Sequence, residues 1–219
     1  MTYELYTISG APRPWRVALA LVAKGLSFQP RILDASRKEQ KEPGFLALND
    51  RGRTPVLVRD QFVLTESVAI LAYLERAHPE PPLFGTSIVE TARVWEQLMS
   101  ADYDLHPASS AVVGPIFKGA TEPTESLLEA ARKLLNELQR LDARLAESAF
   151  LCGERITAAD CVAFPEVRLT QRASERAGEL MGRLGLHPLA ETVPHVRRWL
   201  DRIEALPGYQ RTFPVHWRS

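Results

Sequence analysis

Ser9, Arg13 and Arg16 are the polar side chains of the stretch SGAPRPWRVALALVAKG, residues 9–25, which follows the first strand-like run of the chain. A loop feeding a helix suits the holding of an anion, because the first turn of a helix offers unpaired N–H groups and partial positive charge. The stretch has no cysteine, and Ala11 stands where a nucleophile or its activator is expected. Read alone, it is a solvated loop followed by a helix-start arginine.

Three further motifs bear on chemistry. In GRTPVLV, Gly52 to Val58, a proline heads a strand, where it removes a ladder hydrogen bond. A cis Thr54–Pro55 bond would turn the backbone and leave the Thr54 N–H and C=O for an extended peptide ligand. Read alone, the trans form is the more common state. In LTESVAILAYL, Ser67 opens a helix with Glu66 before it. That start can hold a carboxylate, with the Ser67 hydroxyl as an extra donor; equally, Thr65, Glu66 or Ser67 can simply cap it. In GERITAADCVAF, Thr157 and Asp160 have capping-box spacing, with Ile156 and Cys161 at the staple positions. This last motif is structural.

Elements of two textures must position these residues. Strand signals at Tyr3–Ile8 and Phe28–Leu33 flank a helix closed by Gly25, and a weak helix covers Gln40–Leu48. The runs at 55–58 and 62–64 form a hairpin, and Ser67–Ala77 has helical periodicity. The order is β-α-β-α-β-β-α. Its first two strands are expected to be parallel and its last two antiparallel. The proline-rich HPEPPLFG, residues 78–85, then reads as a linker, and the linker is bounded at 79–88 between a domain of residues 1–78 and an all-helical one of 89–219. Residues 89–117 read as mostly helical, with Pro107 and Pro115 expected to bend or break the segment, and apolar stripes run through 125–147 and 196–206.

Composition narrows the function classes. The 219 residues carry 27 basic and 27 acidic side chains, a formal net charge of zero, which gives no support for nucleic-acid binding. With 45% hydrophobic residues a sizeable core is available. The start MTYELYTISG lacks the order of a signal peptide, and no apolar run approaches a membrane span. The only cysteines, Cys152 and Cys161, fit neither a disulfide framework nor a metal pattern, and read as reduced, packed residues of a cytosolic protein.

Taken in order, the motifs resemble those of the cytosolic glutathione transferases over nearly the whole chain. PWRVALALVAKG is similar to the first helix of the serine-type classes, especially zeta and tau. GRTPVLV resembles the cis-proline segment, ESVAILAYLE the glutamate-serine motif of the third helix, and ITAADCVAF the capping motif of the sixth. The resemblance implies an α/β thioredoxin-like N-terminal domain followed by an all-α C-terminal domain. It also favours the cis bond at Pro55 and ligand binding at Glu66-Ser67.

Further expectations follow from the resemblance. Glutathione is the co-substrate, and no metal takes part. Its γ-glutamyl carboxylate goes to Ser67 and the helix start, its ammonium to Glu66, its cysteinyl backbone to Thr54 beside Pro55, and its glycyl carboxylate to Arg53. The family's catalytic serine falls on Ala11, so Ser9, Arg13, the more distant Tyr6 or backbone amides must stabilise the thiolate. The charge of Arg13 ranks ahead of the Ser9 hydroxyl. The thiolate attacks, or isomerises, a small hydrophobic electrophile, in a pocket lined by Tyr103, His106, Val113 and Phe117, with core packing an equal explanation for Val113 and Phe117. The implied assembly is a cytoplasmic homodimer, with Asp102 reaching the partner's glutathione ammonium. The alternative is a non-catalytic protein of the same fold that binds a ligand or a partner chain. No nucleic-acid or membrane partner is implied.

Overall fold

A computed structural model describes residues 2–217. The chain divides into two compact units: the described residues up to Leu83 together with those from Leu206 onward, and Phe84–Ala205.

In the first unit, strand β1 (Tyr3–Thr7) leads into helix α1 (Pro12–Ala23) and strand β2 (Phe28–Ile32). After a 3-10 turn at Glu39–Lys41 come α2 (Pro43–Leu46), the hairpin β3 (Val56–Arg59) and β4 (Phe62–Thr65), and α3 (Ser67–Ala77). The sheet order is β2-β1-β3-β4. β1 pairs parallel with β2, and β3 pairs antiparallel with β4, as the connections require. Leu5, Val17, Leu19, Val56, Leu57, Ile70, Leu71 and Leu74 form a core that excludes water. Arg16, within α1, is 0% exposed.

Lys24 locks the far end of this unit. Its buried ammonium lies 2.7 Å from the Glu75 carboxylate and donates to the carbonyls of His78 and Pro81 at 2.7 and 2.8 Å. Glu75 in turn accepts the Leu83 N–H at 3.0 Å. A buried ammonium is tolerated only when paired and hydrogen-bonded, and these partners meet that need while tying down the segment after α3.

The second unit contains α4 (Ile88–Ser100), a π-helical turn at Ala101–Leu105, α5 (His106–Phe117), α6 (Glu125–Glu147), α7 (Ala158–Arg176), α8 (Gly178–Arg183), α9 (Leu189–Thr192) and α10 (Pro194–Glu204). The π turn marks the break expected within 89–117. Pro107 has no N–H, so the helix cannot continue its regular ladder there. The widened turn precedes it, with the His106 N–H reaching back to the Ala101 carbonyl. Pro115 sits in the last turn of α5, where one missing donor is tolerated.

The two units divide in sequence at Leu83/Phe84, and the described residues from Leu206 onward group with the first unit and not with the helical one. The reason lies in the aromatic residues of the tail. Trp15 packs edge-on against Phe213 and Trp217, with centroids 6.4 and 5.3 Å away, and its indole N–H donates to Thr212 Oγ1 at 3.1 Å. No helix of the described residues is long and apolar enough to cross a membrane.

Candidate active site

Among the helices longer than six residues, two starts differ from the rest. α4 opens on a full capping box, with Ser87 and Glu90 exchanging side-chain-to-backbone bonds. α6 is capped by Thr124, and α7 by the box of Thr157 and Asp160. The N-terminus of α10 is satisfied by Asp142, whose Oδ1 accepts the N–H groups of His195 and Val196 at 2.7 and 2.9 Å. α5 continues from the π turn and has no open start. By contrast, α1 and α3 have no side-chain cap hydrogen bond. Capping therefore does not explain Thr65, Glu66 or Ser67.

At α3 the cap position is Glu66, whose backbone has φ +65° and ψ 112°. A side-chain-bearing residue holds such a conformation at a cost of order 1–3 kcal/mol, and strain of this kind gathers at functional sites. The Glu66 carbonyl already accepts the Ile70 N–H at 2.9 Å, so the helix begins directly behind it. Ser67, at 6% exposure, is sheltered in the first turn. The Glu66 carboxylate stays in solvent, 3.2 Å from Arg51.

Asn49 organises the neighbouring loop. Its side chain accepts the Arg51 N–H at 3.2 Å and donates to the Arg53 carbonyl at 2.7 Å. Gly52 has φ +58°, and a Cβ there would lie 2.6 Å from the Gln40 carbonyl oxygen, so only glycine fits. The loop leaves Arg53 exposed and Thr54 half-buried. The Thr54–Pro55 bond is cis. Thr54 lies just before β3, outside the ladder.

The start of α1 has few donors left. Pro12 and Pro14 occupy its first and third positions and have no N–H. The Ala11 N–H is committed to the Ile8 carbonyl at 3.0 Å, and the Trp15 N–H bonds to Ala11. The Arg13 N–H is left as the first-turn amide without a backbone acceptor among the described residues. The Arg13 side chain is exposed, and Ser9 is half-buried. The Ser9 hydroxyl lies 3.0 Å from Nδ1 of His216. Tyr6 packs its ring on Phe45 of α2, with centroids 5.8 Å apart.

The four residues named for the second substrate do not share one surface. Tyr103 is 70% exposed and lines a groove with Pro107, Ala108 and residues of α6. His106 turns toward α7, its Nδ1 2.9 Å from the buried Glu166 carboxylate. Val113 is 3% exposed and serves the core. Phe117 lies beneath the guanidinium of Arg176, 5.5 Å from its ring centroid. Asp102 is in the π turn.

His216, Trp217, Asn49 and Arg51 have no place in the sequence reading. An aromatic-rich end, YQRTFPVHW, is the one signal for the first two. The thiols fit the structural reading. Cys161 is buried, and burial pushes the Cys152 thiol up to about 11.

Residues 1–76 match the glutathione S-transferase N-terminal domain and residues 105–207 the glutathione S-transferase C-terminal domain. The chain is 32% identical over 218 residues to glutathione S-transferase 3 of Zea mays, covering 95% of this chain and 92% of that one. It is 27% identical over 217 residues to maleylacetoacetate isomerase of Pseudomonas aeruginosa, covering 97% and 96%. The crystal structure of a glutathione S-transferase from the Antarctic clam Laternula elliptica superposes with a TM-score of 0.85 at 27% identity, covering 100% of this chain and 95% of that one. The protein belongs to the glutathione S-transferase family.

Proposed function

We propose that the two uncapped helix starts hold glutathione, with its γ-glutamyl carboxylate at α3 and its thiolate at α1. The protein is a glutathione-dependent enzyme of the transferase family. One observation supports this placement: of the helices longer than six residues that begin outside the π turn, α4, α6, α7 and α10 have side-chain acceptors at their starts, and α1 and α3 have none among the described residues. The first-turn amides of α3 and the Ser67 hydroxyl suit a carboxylate. Glu66 repels that anion and accepts instead from the glutathione ammonium, sharing its carboxylate with Arg51. The main-chain groups of Thr54, set beside the cis Pro55, pair with the cysteinyl backbone. Arg53, exposed above the loop braced by Asn49, takes the glycyl carboxylate.

Activation means holding the thiol as thiolate. A free thiol near pKa 8.5 is ionised to only a few per cent at neutral pH, and nearby donors lower that value. The donors at α1 are the Arg13 N–H and the Ser9 hydroxyl, with the Arg13 guanidinium adding charge from solvent. Ala11 contributes no donor, because its N–H is used within the loop. The thiol proton leaves to solvent. The sulfur then forms a bond to an electrophilic carbon, and the leaving group departs with its electron pair. The likeness to an enzyme named maleylacetoacetate isomerase supports a second use of the same thiolate, in which it adds to a conjugated carbon and is later expelled. Of the residues named for the hydrophobic electrophile, we assign it Tyr103, exposed at its groove, and detoxification is the matching role.

The assembly we propose is a cytoplasmic two-fold homodimer in which Asp102 serves the partner's glutathione ammonium. Phe62 and Val63 of β4 and Ile88 and Val89 of α4 support this as exposed apolar residues. The test of function is retention on immobilised glutathione followed by turnover of a generic aryl halide. Retention with turnover is expected. Retention without turnover would leave a binding protein, and no retention would remove the site.

A further inference from the structure

We infer that His216 is a positioning residue for Ser9: its ring, held in one tautomer by Trp217, donates to the Ser9 oxygen and so directs the Ser9 proton to the glutathione thiolate. The inference rests on the reading that Ser9 faces that thiolate.

Trp217 Nε1–H can only donate, and it lies 2.9 Å from His216 Nε2. Nε2 is therefore an acceptor and carries no proton. In a neutral imidazole the proton is then on Nδ1. Nδ1 lies 3.0 Å from Ser9 Oγ, so the ring donates there and the serine oxygen accepts. A hydroxyl has one proton to give. With a lone pair engaged by His216, that proton points away from the imidazole, and a chain of bonds running in one direction polarises each member. The sequence is Trp217 N–H to His216, His216 N–H to Ser9, and Ser9 O–H to the thiolate.

The surroundings fix the geometry. Trp217 is buried and packs edge-on against Trp15 and Phe213. Gly10, next to Ser9, has φ +79°, and a Cβ there would lie 3.1 Å from His216 Cε1 and 3.3 Å from Trp217 Nε1. The loop thus reserves its closest approach for these two rings. Between loop and tail is a cavity of about 150 Å³, lined by Ser9, Ala11, Trp15, Phe28 and Phe213 among others.

The test is the pKa of glutathione bound to the full-length protein, read by ultraviolet thiolate absorbance, in Ser9→Ala, His216→Phe, His216→Asn, Trp217→Phe and the double variant Ser9→Ala/His216→Phe. Affinity for S-methylglutathione, which has no thiol proton, reports whether the site is intact. Ser9→Ala and His216→Phe are expected to raise the thiol pKa alike, by about one unit, a tenfold change in the ionisation constant. The double variant is expected to add nothing to either single change. His216→Asn, whose amide N–H replaces the Nδ1 donor, is expected to restore most of the shift. Trp217→Phe, which keeps the packing and loses the N–H, is expected to raise the pKa in part. S-methylglutathione affinity stays unchanged throughout. A shift in Ser9→Ala with none in His216→Phe overturns the relay and leaves the Ser9 reading standing. No shift in either overturns both. Additive shifts in the double variant overturn the relay, because His216 then acts without Ser9.

Discussion

The Ser9 hydroxyl and the His216 ring, 207 positions apart in sequence, lie within 3.0 Å of each other. The 3-10 turn Val215–Trp217 thus meets the loop to which we assign the thiolate. Gly10 controls that approach, through its positive φ and the lack of room for a Cβ. Gly10→Ala is expected to push the tail away from the loop. The bound-thiol pKa then rises as in His216→Phe, and carboxypeptidase removes the tail faster than in the wild type. The left-handed backbone adds roughly 1–2 kcal/mol of strain.

Arg13 separates charge from backbone. Its side chain is exposed, whereas its N–H is fixed by the helix start and has no backbone acceptor among the described residues. Arg13→Ala keeps the N–H, so it is expected to raise the bound-thiol pKa by well under a unit at physiological salt, since exposed charges are screened. Arg13→Pro removes the donor at a first-turn position that proline can occupy. Its bound-thiol pKa is expected to rise about one unit, on the scale of a lost bond to a charged group. If Arg13→Ala exceeds Arg13→Pro in a thiolate titration, the guanidinium is the activator.

Asp160 is more than a cap. Its two oxygens accept from the N–H groups of Leu151 and Thr157, the Thr157 hydroxyl and the Trp199 indole, at 2.8–2.9 Å. Burial pushes its carboxyl up, against the pull of these donors. Asp160→Asn places an amide N–H₂ where two donors already point. The expected loss is about 3 kcal/mol or more in urea unfolding, beyond the value of a simple helix cap.

Cys152 bears on pH. With its thiol near 11, it is ionised about a hundredfold less at pH 8 than an ordinary thiol near 9. Alkylation of the folded protein by iodoacetamide is expected to be slow and to accelerate with each pH unit up to about 11, and Cys152→Ser is expected to leave aryl halide turnover unchanged. Fast alkylation near pH 7 that abolished turnover would return cysteine chemistry to the site.

Much of this was legible in the sequence because the signals are local. The helix at Ser67–Ala77, the hairpin after Pro55 and the Thr157–Asp160 box depend on residues within a few positions of one another. The family motifs brought Arg53, Thr54, Glu66 and Ser67 forward together. The burial of Arg16 is not legible, because a place near a helix start does not reveal which face is buried. The π turn at Ala101–Leu105 was hidden because proline shows that a ladder must be interrupted, not how the backbone absorbs it. The tail was assigned to the helical domain because its partners, Trp15 and Ser9, are some 200 residues away, and no periodicity encodes so distant a contact.

The central claim is that the uncapped start of α3 is a carboxylate site for glutathione, with Ser67 as its side-chain donor. Calorimetric titration of glutathione into the wild-type protein and Ser67→Ala tests it most directly. The account predicts saturable binding to the wild type and affinity roughly 10- to 100-fold weaker in the variant, as expected for a lost hydrogen bond to a charged group, with unchanged thermal unfolding. An unchanged dissociation constant in Ser67→Ala, or a wild-type protein that binds no glutathione, would contradict it.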